Sequence, residues 1–225
     1  MLNMKKARKE KDLGITGWTA RWYDKNTRKF RLAEMRGYAD IVSGYAPAGA
    51  RVLEVAPGPG YLSIELARRG FDVTGVEISA DFVEIEKRNA AEAGVNVDFS
   101  QGNASALPLP DGTFDFIVCS AAFKNFSKPL QALNEMFRVL KPDGAALIFD
   151  MNHDAAKEDI TAELDKNGMK GFDRWFVKLS FNTFLKNGAY TKADFEELIA
   201  QTAFNGHEIL KHGIALQVWL YKKCF

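Results

Sequence analysis

From Arg51 onward, short runs of β-branched and apolar residues alternate with longer segments in which apolar positions recur every three or four residues. The runs RVLEV, DVTGVE, VNVDF, FDFIVCS and AALIFD read as strands, and GYLSIELARRG, SADFVEIEKRNAAEAG and KPLQALNEMFRVLKPDG as the helices between them. In the last helix Leu130, Leu133, Phe137 and Leu140 share a face, and Lys141-Pro142-Asp143-Gly144 brings a proline and a glycine turn that stops it. Such alternation predicts repeated βαβ units, an α/β architecture with a mostly parallel sheet and helices on both faces.

The rhythm changes at both ends. Residues 18–45 carry helical patterns expected to lie over the carboxyl edge of the sheet, giving a helical cap over residues 1–45 and a main domain over 46–225. Residues 155–188 insert further helical material, including GFDRWFVKLSFNTFLKNG, before a helix over TKADFEELIAQTAF and the late strands GHEIL and ALQVWLYKK. Seven strands in this order describe a Rossmann-like, doubly wound fold. Within the insertion Phe172, Trp175, Phe176 and Leu179 follow the i, i+3, i+4, i+7 spacing of one helix face. That face is either plain core or a lid that seats a flat or greasy acceptor. Arg174 and Lys178 on its flank fit solvent, a carboxylate or a membrane surface.

Composition narrows the classes. The 225 residues suffice for one domain with a substantial core; 47% are apolar, 26% are charged, and the net charge of +1 calls for neither nucleic acid nor an acidic partner. Cys119 and Cys224 make neither a disulfide framework nor a metal-ligand cluster, which points to a reducing cytoplasm. The start MLNMKKARKEKDL has no apolar stretch behind it, so no secretory signal is expected, and no run is long enough to span a bilayer. Its basic residues, Lys5, Lys6, Arg8, Lys9 and Lys11, fit a solvated helix start or a contact with RNA or anionic lipid.

Candidate chemistry begins at EVAPGPG, between the first strand and its helix. In an open α/β sheet, ligands sit beyond the carboxyl ends of the strands, and this loop faces that place. Gly58 and Gly60 let a ligand lie against the main chain, while Pro57 and Pro59 have no N–H, so the turn is poorly suited to a dianion. Glu77, closing the second strand, can accept from both hydroxyls of a ribose and repels a 2′-phosphate, or it can cap the helix that begins near Ser79. A free-ribose adenosine fits, and so does a nicotinamide dinucleotide. Asn103, after the third strand, either pairs its amide with an adenine edge or forms a turn.

The glycine loop, the strand-two acid, LPLPDGTFD and LNEMFRVLKPDGAALIFD, in this order and spacing, resemble the class I S-adenosylmethionine-dependent methyltransferases. The run AAFKNFSKPLQALNEMFRVLKPDG is similar to the quinone-biosynthesis C-methyltransferases and their small-molecule relatives, and ARWYDK looks like their A-x-x-Y-D pattern. The resemblance implies S-adenosyl-L-methionine as cofactor, its methionine portion along Ala56, Gly58 and Gly60 with Glu54 near the ammonium. It implies ribose on Glu77, adenine on Ile78 with Asn103 and Ala104 at the base edge, and Ser120 with Ala121 beneath the sulfonium. Tyr23 would close over the site. Ala56 stands where the family has glycine, and its methyl fits if the residue keeps a negative φ.

Methyl transfer from a sulfonium is an in-line displacement that needs alignment more than a nucleophilic side chain. If the acceptor must lose a proton, His153 is the best-placed base, followed by Asp150. Phe123, Trp175 and Phe176 are the candidate acceptor contacts. The strand-four end CSAAFKNF lacks the Asn/Asp-Pro-Pro-aromatic turn of many base amino-methyltransferases, so nucleic acid is disfavoured and a small molecule is the expected partner. No metal is expected. Two other readings stand: a nicotinamide-dependent oxidoreductase, which shares the glycine turn and Glu77, and a non-catalytic module that binds the cofactor, suggested by Ala56 and Asn103.

Overall fold

A computed structural model describes residues 14–166 and 188–223. The aromatic face with Trp175 and Phe176, its flanking Arg174 and Lys178, the basic residues 5–11 and Cys224 lie outside the described residues. The chain runs α1 (Gly17–Phe30), α2 (Leu32–Tyr45), β1 (Arg51–Val55), α3 (Tyr61–Arg68), β2 (Asp72–Glu77), α4 (Ala80–Ala93), β3 (Asp98–Gln101) and β4 (Phe114–Ser120). It continues with a short 3₁₀ turn (Phe123–Asn125), α5 (Pro129–Val139), β5 (Leu140–Met151), α6 (Lys157–Lys166), α7 (Lys192–Ile199), β6 (Gly206–His212) and β7 (Ala215–Tyr221).

The seven strands lie in the order β3-β2-β1-β4-β5-β7-β6. Strands β1 to β5 are parallel, and β7 is antiparallel to both neighbours, so the sheet is mixed but mostly parallel. The chain winds outward from β1 to β3, then crosses back to place β4 on the other side of β1. That reversal opens a crevice beyond the carboxyl ends of β1 and β4.

Alternation along each strand feeds two cores. Val52, Phe116, Val118, Leu147 and Phe149 face α2 and α3, while Leu53, Ile117, Cys119 and Ile148 face α5 and α7. The residues Met35, Tyr38, Ala39 and Val42 of α2 are buried in the first of these, so this helix of the expected cap shares the core of the sheet. Tyr38 stacks on Phe149 with ring centroids 3.9 Å apart.

Three expectations shift by a few residues. VNVDF becomes a strand only from Asp98, because Gly94 ends α4 in the left-handed conformation and Val95 N–H turns back to Ala90 O. In α5 the fully buried positions are Ala132, Leu133, Met136 and Val139; Leu130 and Phe137 are half-buried at its margins, and Leu140 already belongs to β5. The Lys141–Gly144 turn does not separate helix from strand. It is an irregular start to β5, held to the last strand's end by Asp143 N–H to Lys222 O and Lys222 N–H to Gly144 O.

The crevice is shaped by Phe99 of β3. A Cβ at Gly75 would sit 2.5 Å from its ring, and one at Gly60 would sit 3.1 Å away, so the ring occupies space that only glycines leave. Beside it α4 carries an unusual group. Glu86 is fully buried, and among the described residues neither carboxylate oxygen has a hydrogen-bond partner. Burial, reinforced by the charges of Glu77 and Glu54, pushes its carboxyl up to about 10.

The folded chain therefore keeps a proton that the unfolded chain releases above the ordinary value of 4.5. Stability contributed by this proton is present in acid and is lost as the pH rises from 4.5 toward about 10, by at most about 1.4 kcal/mol per pH unit. Urea unfolding at pH 5, 7 and 9 should show Glu86→Gln losing less stability with rising pH than the wild type. Identical pH slopes would contradict the buried, neutral carboxyl.

Candidate active site

The β1 loop, Ala56 to Gly60, forms one wall of a cavity of about 810 Å³ in the crevice. Its conformation is tightly set. Ala56, Gly58 and Gly60 all have positive φ, at 57°, 62° and 80°. Ala56 thus lacks the negative φ at which its methyl fits without strain, its N–H being bonded to Val76 O where the chain turns away from the sheet. Ala121, after β4, is likewise at φ 56°, with its N–H bonded to Phe149 O. Two alanines in the left-handed region facing one cavity mark it as the strained end of the sheet.

Glu77 joins the loops. Its Oε2 accepts from Gly58 N–H at 3.1 Å and its Oε1 from Ser79 N–H at 2.9 Å. Burial raises its pKa, and the amides of Ser79, Gly58 and Ile78 partly offset that rise. The cap of α4 is made by the Ser79 hydroxyl, which accepts from Phe82 N–H, so Glu77 is not the capping residue. Ser79 also donates to Ile15 O and draws the Gly14–Ile15 segment over the cavity; a Cβ on Gly14 would lie 2.7 Å from that of Ser79.

Helix α1 supplies the opposite wall with Tyr23 and Thr27, and its C-cap residue Arg31 continues the four-residue spacing. A polar cluster holds it in place: Asp24 accepts from Tyr61 Oη, Asn89 Nδ2 and Arg88, while Asn89 also donates to Pro59 O. Arg28 donates to Tyr61 Oη and Asn89 Oδ1. Asp24 and Arg28 lie on α1, Tyr61 on α3, Arg88 and Asn89 on α4 and Pro59 in the β1 loop, so these four elements are tied at one point.

The expected site residues divide. Tyr23, Ala56, Gly58, Glu77, Ile78, Asn103, Ala104, Ser120 and Ala121 lie on the cavity wall. Glu54 and Gly60 do not. Gly60 caps α3, and Glu54 is fully buried, with Oε2 accepting from Ser63 Oγ and Oε1 without a hydrogen-bond partner among the described residues. Burial pushes Glu54 up to about 7. Asn103 Oδ1 accepts from Ser105 N–H at 2.8 Å, so its side-chain carbonyl is engaged in a local turn.

Three expected residues lie off the wall. Phe123 is fully buried against Phe126, Tyr190 and Phe195, and Phe126 reaches the wall. His153 is off the wall, its side chain half-exposed and its Nδ1 3.0 Å from Asp154. Asp150 is buried and spent on Lys124 N–H, Lys124 Nζ and Met151 N–H, which fixes the turn after β4. Sequence reasoning also missed Thr27, Arg31, Met35 and Phe82 on the wall. The four-residue spacing from Tyr23 was a usable signal for the first two; Met35 and Phe82 look like ordinary core.

The methyltransferase domain model matches residues 53–148. The uncharacterized methyltransferase YcgJ of Bacillus subtilis is 38% identical over 175 residues, which cover 66% of this chain and 69% of that protein. The chain belongs to the methyltransferase family. The demethylmenaquinone methyltransferase of Deinococcus radiodurans is 33% identical over 132 residues, covering 57% of this chain and 55% of its own. The chain spans about half the length of several such relatives. A structure of a putative S-adenosyl-L-methionine-dependent methyltransferase from Methanococcus maripaludis superposes with a TM-score of 0.74 at 21% identity, covering 92% of this chain and 93% of that one, and shares the fold.

The family's cofactor is S-adenosyl-L-methionine, and the residues of this chain fit it. Glu77 has spent two of about four acceptor positions on amides, leaving two for a ribose diol. Gly58 has no side chain to block a ligand, and among the described residues a Cβ there would meet only Tyr23 Cε1, at 3.9 Å. The cavity volume lies within the range of about 300 to 1,000 Å³ typical of small-molecule sites. When bound, the cofactor supplies a methyl on an electrophilic sulfonium. Among the described residues no cluster of His, Cys, Asp and Glu is suited to a metal, and no helix is long and apolar enough to cross a membrane.

Replacing either strained alanine tests the loop geometry. Ala56→Gly and Ala121→Gly should each raise stability by about 0.5 to 1 kcal/mol, the relief at positive φ exceeding the entropy cost of glycine. A fall in the urea midpoint for both would contradict the left-handed conformation.

Proposed function

We propose that this methyltransferase carries a methyl group from S-adenosyl-L-methionine to a small, flat or hydrophobic molecule in the cytoplasm. The observation that carries this reading is the asymmetry of the cavity wall. Glu77 offers a carboxylate, while Met35, Phe82, Ala122 and Phe126 present apolar surface to the same space. An acceptor bound there is met by packing more than by hydrogen bonds. The relatives named demethylmenaquinone methyltransferases support a flat, quinone-like acceptor.

The chain's contribution is alignment and exclusion of water. Charge disappears in the displacement, so a dry slot that fixes nucleophile, methyl and leaving group in line accounts for much of the acceleration. Ser120 and Ala121, at the end of β4, form the floor, held from below by Lys124 Nζ bonded to Ala121 O and to Asp150. Tyr23 and Thr27 close the other side. Neither His153 nor Asp150 lines this space, so a quinol acceptor, which loses a proton on methylation at oxygen or ring carbon, arrives as the phenolate or passes that proton to water. The apolar wall offers little to the phosphates of nucleic acid.

Incubation with labelled S-adenosylmethionine and a panel of quinols, phenols, thiols and amines tests the acceptor class. Turnover should concentrate on flat aromatic acceptors, and Glu77→Ala should raise the cofactor KM about 10- to 100-fold, as loss of charged hydrogen bonds does. Turnover confined to small polar amines would contradict the proposed acceptor, and cofactor binding without any turnover would favour the non-catalytic module.

A further inference from the structure

Helix α1 has two distinct faces. Ala20, Asp24 and Thr27 are buried, and Tyr23 and Thr27 line the cavity. On the far side Trp18, Trp22, Lys25 and Lys29 follow i, i+4, i+7 and i+11, so they form one stripe along the helix, with Arg21 beside it. All five are exposed. Trp18 keeps 70% of its surface in solvent and Trp22 49%, and the two rings stack with centroids 6.5 Å apart. Ile15, three residues before Trp18, is 39% exposed and also lines the cavity, so exposed apolar side chains stand both at the cavity rim and on the helix beside it.

The charge of this outer face has one sign. Asp24 is the only acid in α1, and it is buried against Arg88 and Asn89. Of the nearby acids on α4, Glu92 is paired with Arg28 and Asp81 accepts from Gly17 N–H. Among the described residues Arg21 and Lys25 have no ion-pair partner. Lys29 Nζ lies 4.6 Å from the ring centroid of Phe30, which is itself exposed. The whole chain carries a net charge of only +1, so this concentration of cations is local. A single exposed apolar side chain is ordinary on a protein surface, whereas a stacked pair of tryptophans among unpaired cations marks a surface that meets something.

We propose that the outer face of α1 docks on an anionic lipid surface, lying in its plane with the Trp18 and Trp22 indoles among the headgroups and Arg21, Lys25 and Lys29 on their phosphates. The occupant follows from charge and shape. Indole rings are amphipathic and settle at the boundary of water and hydrocarbon, and lysine or arginine beside them draws a helix to negative headgroups. A helix presents a convex ridge, which suits a lipid plane better than single-stranded nucleic acid, whose binding uses a groove that tracks the backbone. In this orientation the inner face of the same helix still holds Tyr23 and Thr27 on the cavity, and the rim at Ile15 stands beside the lipid. A hydrophobic acceptor dissolved in the bilayer then reaches the cavity without crossing bulk water.

Co-sedimentation of the full chain with vesicles tests this with no methyl acceptor present, so its outcome is separate from that of the acceptor panel. The probes are vesicles of phosphatidylcholine alone and of phosphatidylcholine mixed with phosphatidylglycerol. The wild type should bind the mixed vesicles at low salt, with a blue shift of tryptophan emission, and leave them at high salt. The double variants Trp18→Ala/Trp22→Ala and Arg21→Glu/Lys25→Glu should each lower the partition coefficient about 10-fold or more, and the first should also lose the blue shift. All four side chains are exposed and off the cavity wall, so thermal unfolding and S-adenosylhomocysteine affinity should match the wild type in both variants. No binding to the mixed vesicles, equal binding to both kinds of vesicle, or equal binding of wild type and variants overturns the proposal. So does a single-stranded RNA, or a second copy of the chain, that binds through the same side chains while vesicles do not.

Discussion

One buried carboxylate holds the functional end of this fold together. Glu77 closes β2, takes the Gly58 amide from the neighbouring β1 loop and takes the Ser79 amide at the start of α4. Two adjacent βα connections are thereby locked to each other at the point where the winding of the sheet reverses. The arrangement is costly to desolvate, as the upward shift of Glu77 shows, and amides make it tolerable. It also leaves the carboxylate half-used and facing a cavity, which is what a ribose-binding acid requires.

The rest of the site is arranged around that clamp. Phe99 supports the loop from below, in the space that Gly60 and Gly75 leave. Helix α1 closes it from above, pinned by Asp24, Arg28, Tyr61 and Asn89 through hydrogen bonds that reach three other elements. At the other edge, Asp150 and Lys124 fix the turn carrying Ala121. The backbone strain at Ala56 and Ala121 persists because each is held by a hydrogen bond to a neighbouring strand. Preorganisation of this kind suits a displacement whose barrier falls through alignment.

Periodicity and local punctuation carried most of the fold. The short apolar runs of β1 and β4 set these strands correctly, since burial on both sheet faces leaves a nearly continuous apolar run. The start of β5 was less visible, because Lys141–Gly144 has turn composition yet pairs with the chain's last strand, a contact that only the tertiary fold creates. The cavity was legible where a residue type has a local geometric reason, as with Gly58 and Glu77. It was illegible where two uses share one residue: Asn103 lines the wall and makes a turn, and Phe123 sits next to the site yet packs inward. The loop prolines were read as two missing donors; the geometry shows the other three amides spent as well, so the loop cradles a ligand by shape alone.

The central claim is that the Glu77-clamped cavity is built for an adenosyl sulfonium cofactor and not for a dinucleotide. Calorimetric titration of the wild-type chain with S-adenosylhomocysteine and, separately, with NAD tests it most directly. The account predicts one-site binding of S-adenosylhomocysteine in the micromolar range, about −8 kcal/mol, and no measurable heat with NAD. Binding of NAD in preference to S-adenosylhomocysteine would contradict it.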